Sequence, residues 1–247
     1  MKLCRNLTAS LLIALGIANA AASAESPPAA EDQATQDTVV LLHGLWRSRT
    51  AMWLMSHRLE NAGFQVQNIG YDSTHETPEQ ILNSVASQID ACCKALPHTV
   101  HFVGHSLGGL IIRAYLADNA VRQQGRVVLI GTPNKGTPLV DAFQDSWWLA
   151  LAGPTARALG TGPDSFPKSL PPPEYPVGVI AGLSENGLAQ HLLADSSDGM
   201  VPVESTKLVG MVDFILVESG HSSMRYSEEV ARQTISFLRR GRFVHPP

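Results

Sequence analysis

The chain has 247 residues, of which 44% are hydrophobic, and 18 lysines and arginines stand against 22 aspartates and glutamates for a formal charge of −4. That length suits one domain with a full core. A mildly acidic chain with no basic run lacks the electrostatic footprint of a nucleic-acid binder, so no nucleic acid is expected as a partner.

The N-terminus reads as a secretory leader. Lys2 and Arg5 precede an apolar run from Leu7 to Ala18, and Ala22-Ser23-Ala24 is a small-x-small cleavage site. Residues 1–24 are expected to be a signal peptide and the protein to be exported, periplasmic or secreted. About a dozen apolar residues fall short of the ~20 that span a bilayer, so no stable membrane insertion is expected. Residues 25–37, rich in Ala, Pro, Glu and Gln, read as a disordered lead-in. Residues 38–247 then form the single folded domain.

Within it, strands and helices alternate. Thr38 to Leu42 is a short apolar strand ending at His43-Gly44. Thr50 to Asn61 has helical spacing, and Phe64 to Ile69 is a second strand. Pro78 to Leu96 reads as a helix with proline at its start. The apolar run Thr99 to Val103 leads into Gly104-His105-Ser106-Leu107-Gly108, and a helical stretch follows to Asp118. Further strands lie at Arg126 to Ile130, Val177 to Ala181 and Val212 to Val217. Met224 to Arg239 closes the chain as a helix. Strict alternation predicts an α/β fold, a mostly parallel doubly wound sheet of about six strands covered on both faces. Residues 134–175 break the rhythm. They are too long for a plain loop and are expected to form a lid or cap. Cys92 and Cys93 are adjacent, and neighbours rarely bridge, so they are expected to be two small thiols packing on their helix.

In a parallel sheet ligands bind beyond the strand C-termini, and His43, Ser106, Thr132 and His221 all follow strand ends. Gly104 to Gly108 has the G-x-S-x-G form of a nucleophile elbow in the strand–turn–helix setting that form requires. Ser106 is the expected nucleophile. Of nine histidines, His221 follows the last strand and can reach over Ser106 as general base. His105 is expected to point away from the nucleophile. The imidazole needs a carboxylate. Asp198, on the Asp198-Gly199 turn, is preferred over Asp195, and Asp213 begins the final strand at the wrong end of the sheet. Two backbone N–H groups must meet the oxyanion: that of Leu107, after the nucleophile, and that of Leu45, after the first strand. Trp46, Phe143, Trp147 and Trp148 could line an acyl groove.

These marks, with Gly131-Thr132-Pro133 and Ser219-Gly220-His221, resemble those of α/β-hydrolases of the bacterial lipase and esterase group. The resemblance runs from residue 38 to 240. It implies an exported serine carboxylic-ester hydrolase that works through an acyl-enzyme on small-molecule or lipid esters. No metal and no cofactor are expected. An acyltransferase or thioesterase would use the same acyl-enzyme. A binding protein with a dead site is a third reading, disfavoured because all three triad members have candidates.

Overall fold

The computed structural model describes residues 36–147, 151–184, 193 and 196–246. The expected leader, nearly all of the lead-in, Trp148 and Asp195 lie outside the described residues.

Six strands form one parallel sheet: β1 (Thr38–Leu42), β2 (Gln65–Ile69), β3 (Val100–His105), β4 (Gln124–Ile130), β5 (Val177–Leu183) and β6 (Asp213–Glu218), in the spatial order β2-β1-β3-β4-β5-β6. The expected α/β architecture is therefore the observed one. The period-2 alternation of a strand splits the core in two. Val40 and Leu42 face the layer made by α2 (Pro78–Cys92) and α3 (Leu107–Asp118), where Ile81, Val85, Ile89, Leu110 and Ile111 pack. Val39 and Leu41 face the opposite layer, made by α1 (Trp53–Asn61) and the last helix, where Met55, Leu59, Val230 and Phe237 pack. The chain steps from β1 outward to β2 and then returns across β1 to β3. The loops after β1 and β3 therefore diverge, which opens a crevice where sheets of this kind bind ligands.

Local chemistry sets the ends of the helices. Thr77 and Gln80 form a reciprocal capping box before α2, with Pro78 in its first turn. That helix ends at Cys92, not Leu96, and Cys92 and Cys93 are bonded to each other at its end. Helical neighbours point about 100° apart, so the bond is made only where the backbone leaves the helix, and Cys93 sits at φ −136°. Cys93 is buried as expected, but the pair is a disulfide rather than two thiols. The closing helix is also shorter than expected. Ser227 is extended and caps Val230 N–H, so a 3₁₀ turn (Met224–Tyr226) is separated from the helix Glu228–Arg240.

The insertion between β4 and β5 contains α4 (Pro138–Ala142), α5 (Pro154–Arg157) and α6 (Phe166–Ser169) among its described residues. It is tied down at several points. Trp46 Nε1–H donates to the Ala152 carbonyl (2.8 Å), Thr155 Oγ1 to that of Glu76 (2.7 Å) and Thr137 Oγ1 to that of Met200 (2.8 Å). The Arg113 guanidinium in α3 donates to Asn134 Oδ1 and to the carbonyls of Leu170 and Pro171, holding both ends of the segment.

Asp213 lies at the start of β6, and its carboxylate accepts from Phe243 N–H (2.7 Å) and His245 Nε2 (2.9 Å), far from the strand C-termini. It pins the tail that follows the closing helix. Asp213→Ala is expected to lower the unfolding free energy by about 1–2 kcal/mol through these lost bonds, while kcat per folded molecule stays at the wild-type value. Denaturant titration beside active-site titration checks both.

Candidate active site

Ser106 joins β3 to α3 with φ 55° and ψ −123°, a backbone state that side chains rarely adopt. Serine at a helix start normally turns its hydroxyl onto the backbone of the first turn. Here it makes no such bond, and Oγ donates instead to His221 Nε2 at 3.0 Å. The flanking glycines are steric necessities. A Cβ on Gly104 would lie 2.5 Å from Gly109 N, and one on Gly108 would lie 2.6 Å from the carbonyl oxygens of Leu42 and His43. The elbow is thus pressed against its own helix on one side and the end of β1 on the other.

His221 Nδ1–H donates to Asp198 Oδ2 at 2.7 Å. The Asp198 side chain is fully buried, and its other oxygen accepts from the N–H groups of Met200 (3.0 Å) and Val201 (2.8 Å). Those donors replace the water that a buried carboxylate would otherwise lack. The backbones are joined as well: His221 N–H donates to the Asp198 carbonyl at 2.8 Å. Ser106, His221 and Asp198 therefore form a Ser-His-Asp triad, with the imidazole fixed in the tautomer that accepts from the hydroxyl.

Two further histidines shape the site. His105 does not simply point away. Its ring lies 4.9 Å from that of His221, and its Nε2–H donates to the His221 carbonyl at 2.9 Å. Burial pushes its pKa well below 6.5 and the neighbouring His221 adds to this, so the ring is neutral at pH 7. His43 is stacked on Tyr71 with ring centres 4.1 Å apart, and burial also lowers its pKa. Its Nδ1–H donates to the Gly44 carbonyl at 2.9 Å, and the Tyr71 hydroxyl bonds the His43 carbonyl. In a trans peptide the C=O and the following N–H point opposite ways. Holding the Gly44 oxygen therefore fixes the direction of Leu45 N–H.

A cavity of about 500 Å³ opens over Ser106. Leu45 and Trp46 line it on the β1 side, and Leu139, Val140, Phe143 and Leu159 of the insertion form its apolar wall. Trp147 does not line it and is 76% exposed. Leu107, fully buried, heads α3 directly after the nucleophile. Sequence reasoning missed Gly131, at φ 55°. A Cβ there would meet Met224 Cε at 2.5 Å and crowd Asp198 Oδ2 and His221 Nδ1 at 3.2 and 3.3 Å. The Gly-Thr-Pro turn was visible, but its partners come from segments about 70 and 90 residues later in the chain. Among the described residues no cluster of three or more potential metal ligands occurs.

The profile of the palmitoyl protein thioesterase family matches residues 38–158. No curated protein matches by sequence. Among solved structures, the mature form of the Bacillus licheniformis lipase BlEst2 is similar at TM-score 0.68 and 19% identity, over 88% of this chain and 96% of that one. The metagenomic carboxyl esterase MGS0156 is similar at 0.59 and 16%, over 82% and 69%. The phospholipase PlaB from Legionella pneumophila is similar at 0.52 and 14%, over 70% and 46%. The chain has the α/β-hydrolase fold, and its assembled triad is the machinery of a serine ester hydrolase.

Ser106→Ala is expected to abolish both ester hydrolysis and labelling by a fluorophosphonate, with the fold unchanged by circular dichroism. Asp198→Asn, which leaves the imidazole in the wrong tautomer, is expected to lower kcat by about 10⁴-fold. Retained labelling in the Ser106 variant would place the nucleophile elsewhere.

Proposed function

We propose that the chain hydrolyses esters of apolar acyl groups through an acyl-enzyme at Ser106. The observation that carries this is the apolar cavity opening directly over the triad serine. Ser106 Oγ attacks the ester carbonyl while His221 Nε2 takes its proton, and Asp198 stabilises the imidazolium. The developing oxyanion is met by Leu45 N–H and Leu107 N–H, each worth about 2.7–4 kcal/mol of barrier. His221 then protonates the leaving alcohol, and water, activated by the same imidazole, releases the acid. The acyl chain lies along Leu139, Val140, Phe143 and Leu159.

The family profile favours a second reading in which the scissile bond is a thioester, attacked by the same groups. Matched octanoyl oxygen esters and thioesters separate the two by the ratio of their kcat/KM values. Export is also part of the proposal. It is supported by the leader-like residues 1–24 and by a disulfide that would be reduced in most cytosols.

Each methylene buried against the wall is worth about 0.8 kcal/mol, close to fourfold. kcat/KM on p-nitrophenyl esters is expected to climb from acetate toward octanoate and then level off. Phe143→Ala is expected to flatten the climb, and Trp147→Ala to leave it as it is. A flat profile in the wild type would overturn the acyl assignment.

A further inference from the structure

Among the described residues that line the largely apolar cavity, two carry a permanent charge, and both are arginines, Arg47 and Arg225. No aspartate or glutamate is among its described lining residues. Arg225 is 7% exposed, and its Nε is buried without a hydrogen-bond partner. Among the described residues its guanidinium makes no hydrogen bond or ion pair, and it lies over the Tyr226 ring, 4.6 Å from the ring centre. Arg47 is exposed, and among the described residues it donates only to the Trp46 carbonyl, at 3.2 Å. Neither meets a carboxylate among the described residues.

Other arginines differ in what their terminal nitrogens meet. Arg113, also buried and with its Nε likewise unpartnered, spends three bonds of its terminal nitrogens on Asn134, Leu170 and Pro171, and Arg232 is paired with Glu229. Largely burying a cation with no carboxylate beside it is costly, and Arg225 places such a charge on the wall of the cavity over the reaction centre of an acidic chain. The charges of both arginines bear on His105, beside the nucleophile, and help keep its ring neutral.

Their place in the fold says which half of a substrate they meet. His221 passes its proton to the leaving group, so the alcohol lies on the His221 side. Ser222 and Arg225 follow His221 on the same turn and line the cavity there. Arg47 sits on the loop after β1, two residues beyond Leu45. The acyl wall is on the insertion and carries no charge. We infer that the site selects acyl esters whose alcohol half carries an anionic group, phosphate or carboxylate, which Arg225 and Arg47 bind together. The inference rests on the ester-hydrolase reading and adds a charge to its substrate. A guanidinium fork suits either oxyanion.

Two matched pairs test it with the purified protein. The first is 1-octanoylglycerol 3-phosphate against 1-octanoylglycerol. The second is 4-octanoyloxybenzoate against its methyl ester. The quantity read is the ratio of kcat/KM, anionic over neutral, and its change between wild type and variant, which cancels differences in leaving-group reactivity. The wild type is expected to prefer the phosphate ester at least tenfold. Arg225→Met and Arg47→Met are each expected to cut the anionic-over-neutral ratio at least fivefold, Arg225→Lys less, and added salt is expected to erode the preference. A response in both pairs supports a general anion site, and a response in the phosphate pair alone assigns the anion as phosphate. A wild-type ratio no greater than one in the phosphate pair overturns the inference. So does equal loss on charged and neutral esters in the variants, which would make Arg225 structural. Should Arg225→Met fail to fold, the exposed Arg47 variant decides, and an unmoved ratio there is equally fatal. Failure to hydrolyse any neutral or anionic ester or thioester would sink the hydrolase reading itself, a different result from a lost preference.

Discussion

The backbone of Ser106 is the constraint around which the rest of the molecule is arranged. Holding a non-glycine residue at φ 55° and ψ −123° costs on the order of 1–3 kcal/mol. Contacts that relaxation would break keep it there. Gly104 and Gly108 allow the elbow to touch α3 and β1, and Ser106 N–H donates to the Ile130 carbonyl of β4. Because β1, β3 and β4 are neighbours in one parallel sheet, three strands clamp the turn. The hydroxyl cannot fall back onto its own helix and remains directed at His221.

The other half of the site depends on desolvation. Asp198 is buried and still finds donors for both oxygens, two of them backbone N–H groups of its own turn and the third His221. His221 is held on several sides: at Nδ1 by Asp198, at its own N–H by the Asp198 carbonyl, and at its carbonyl by His105. Preorganisation of this kind means that little must reorganise as charge moves from serine to imidazole. Gly131 supplies the space in which the carboxylate and the imidazole meet.

Much of this was legible in the sequence, for reasons that are local. Strand alternation, the Thr77-Pro78 helix start and the elbow glycines each depend on residues within a few positions of one another. The triad could be ordered because each member follows a strand end, and strand ends share one edge of a parallel sheet. What could not be read depends on contacts between distant segments or on backbone geometry. Trp147 shares a hydrophobic stretch with Phe143, yet only Phe143 reaches the cavity, because composition does not say which way a short helix turns. The Cys92–Cys93 bond depends on where the helix ends, a boundary that periodicity places only loosely. The grip of His105 on the His221 backbone joins residues 116 positions apart, and no spacing rule reaches that far.

The hydrogen bond from Trp46 to Ala152 links two parts of the molecule with different duties. Trp46 follows Leu45 directly, and Ala152 belongs to the insertion that supplies the apolar wall. A graft that replaced the insertion to suit longer or shorter chains would therefore also disturb the loop beside the reacting carbonyl. Selectivity and turnover are mechanically geared at this point. Recombination among homologous insertions would keep both only where the incoming segment offers a carbonyl to the same indole.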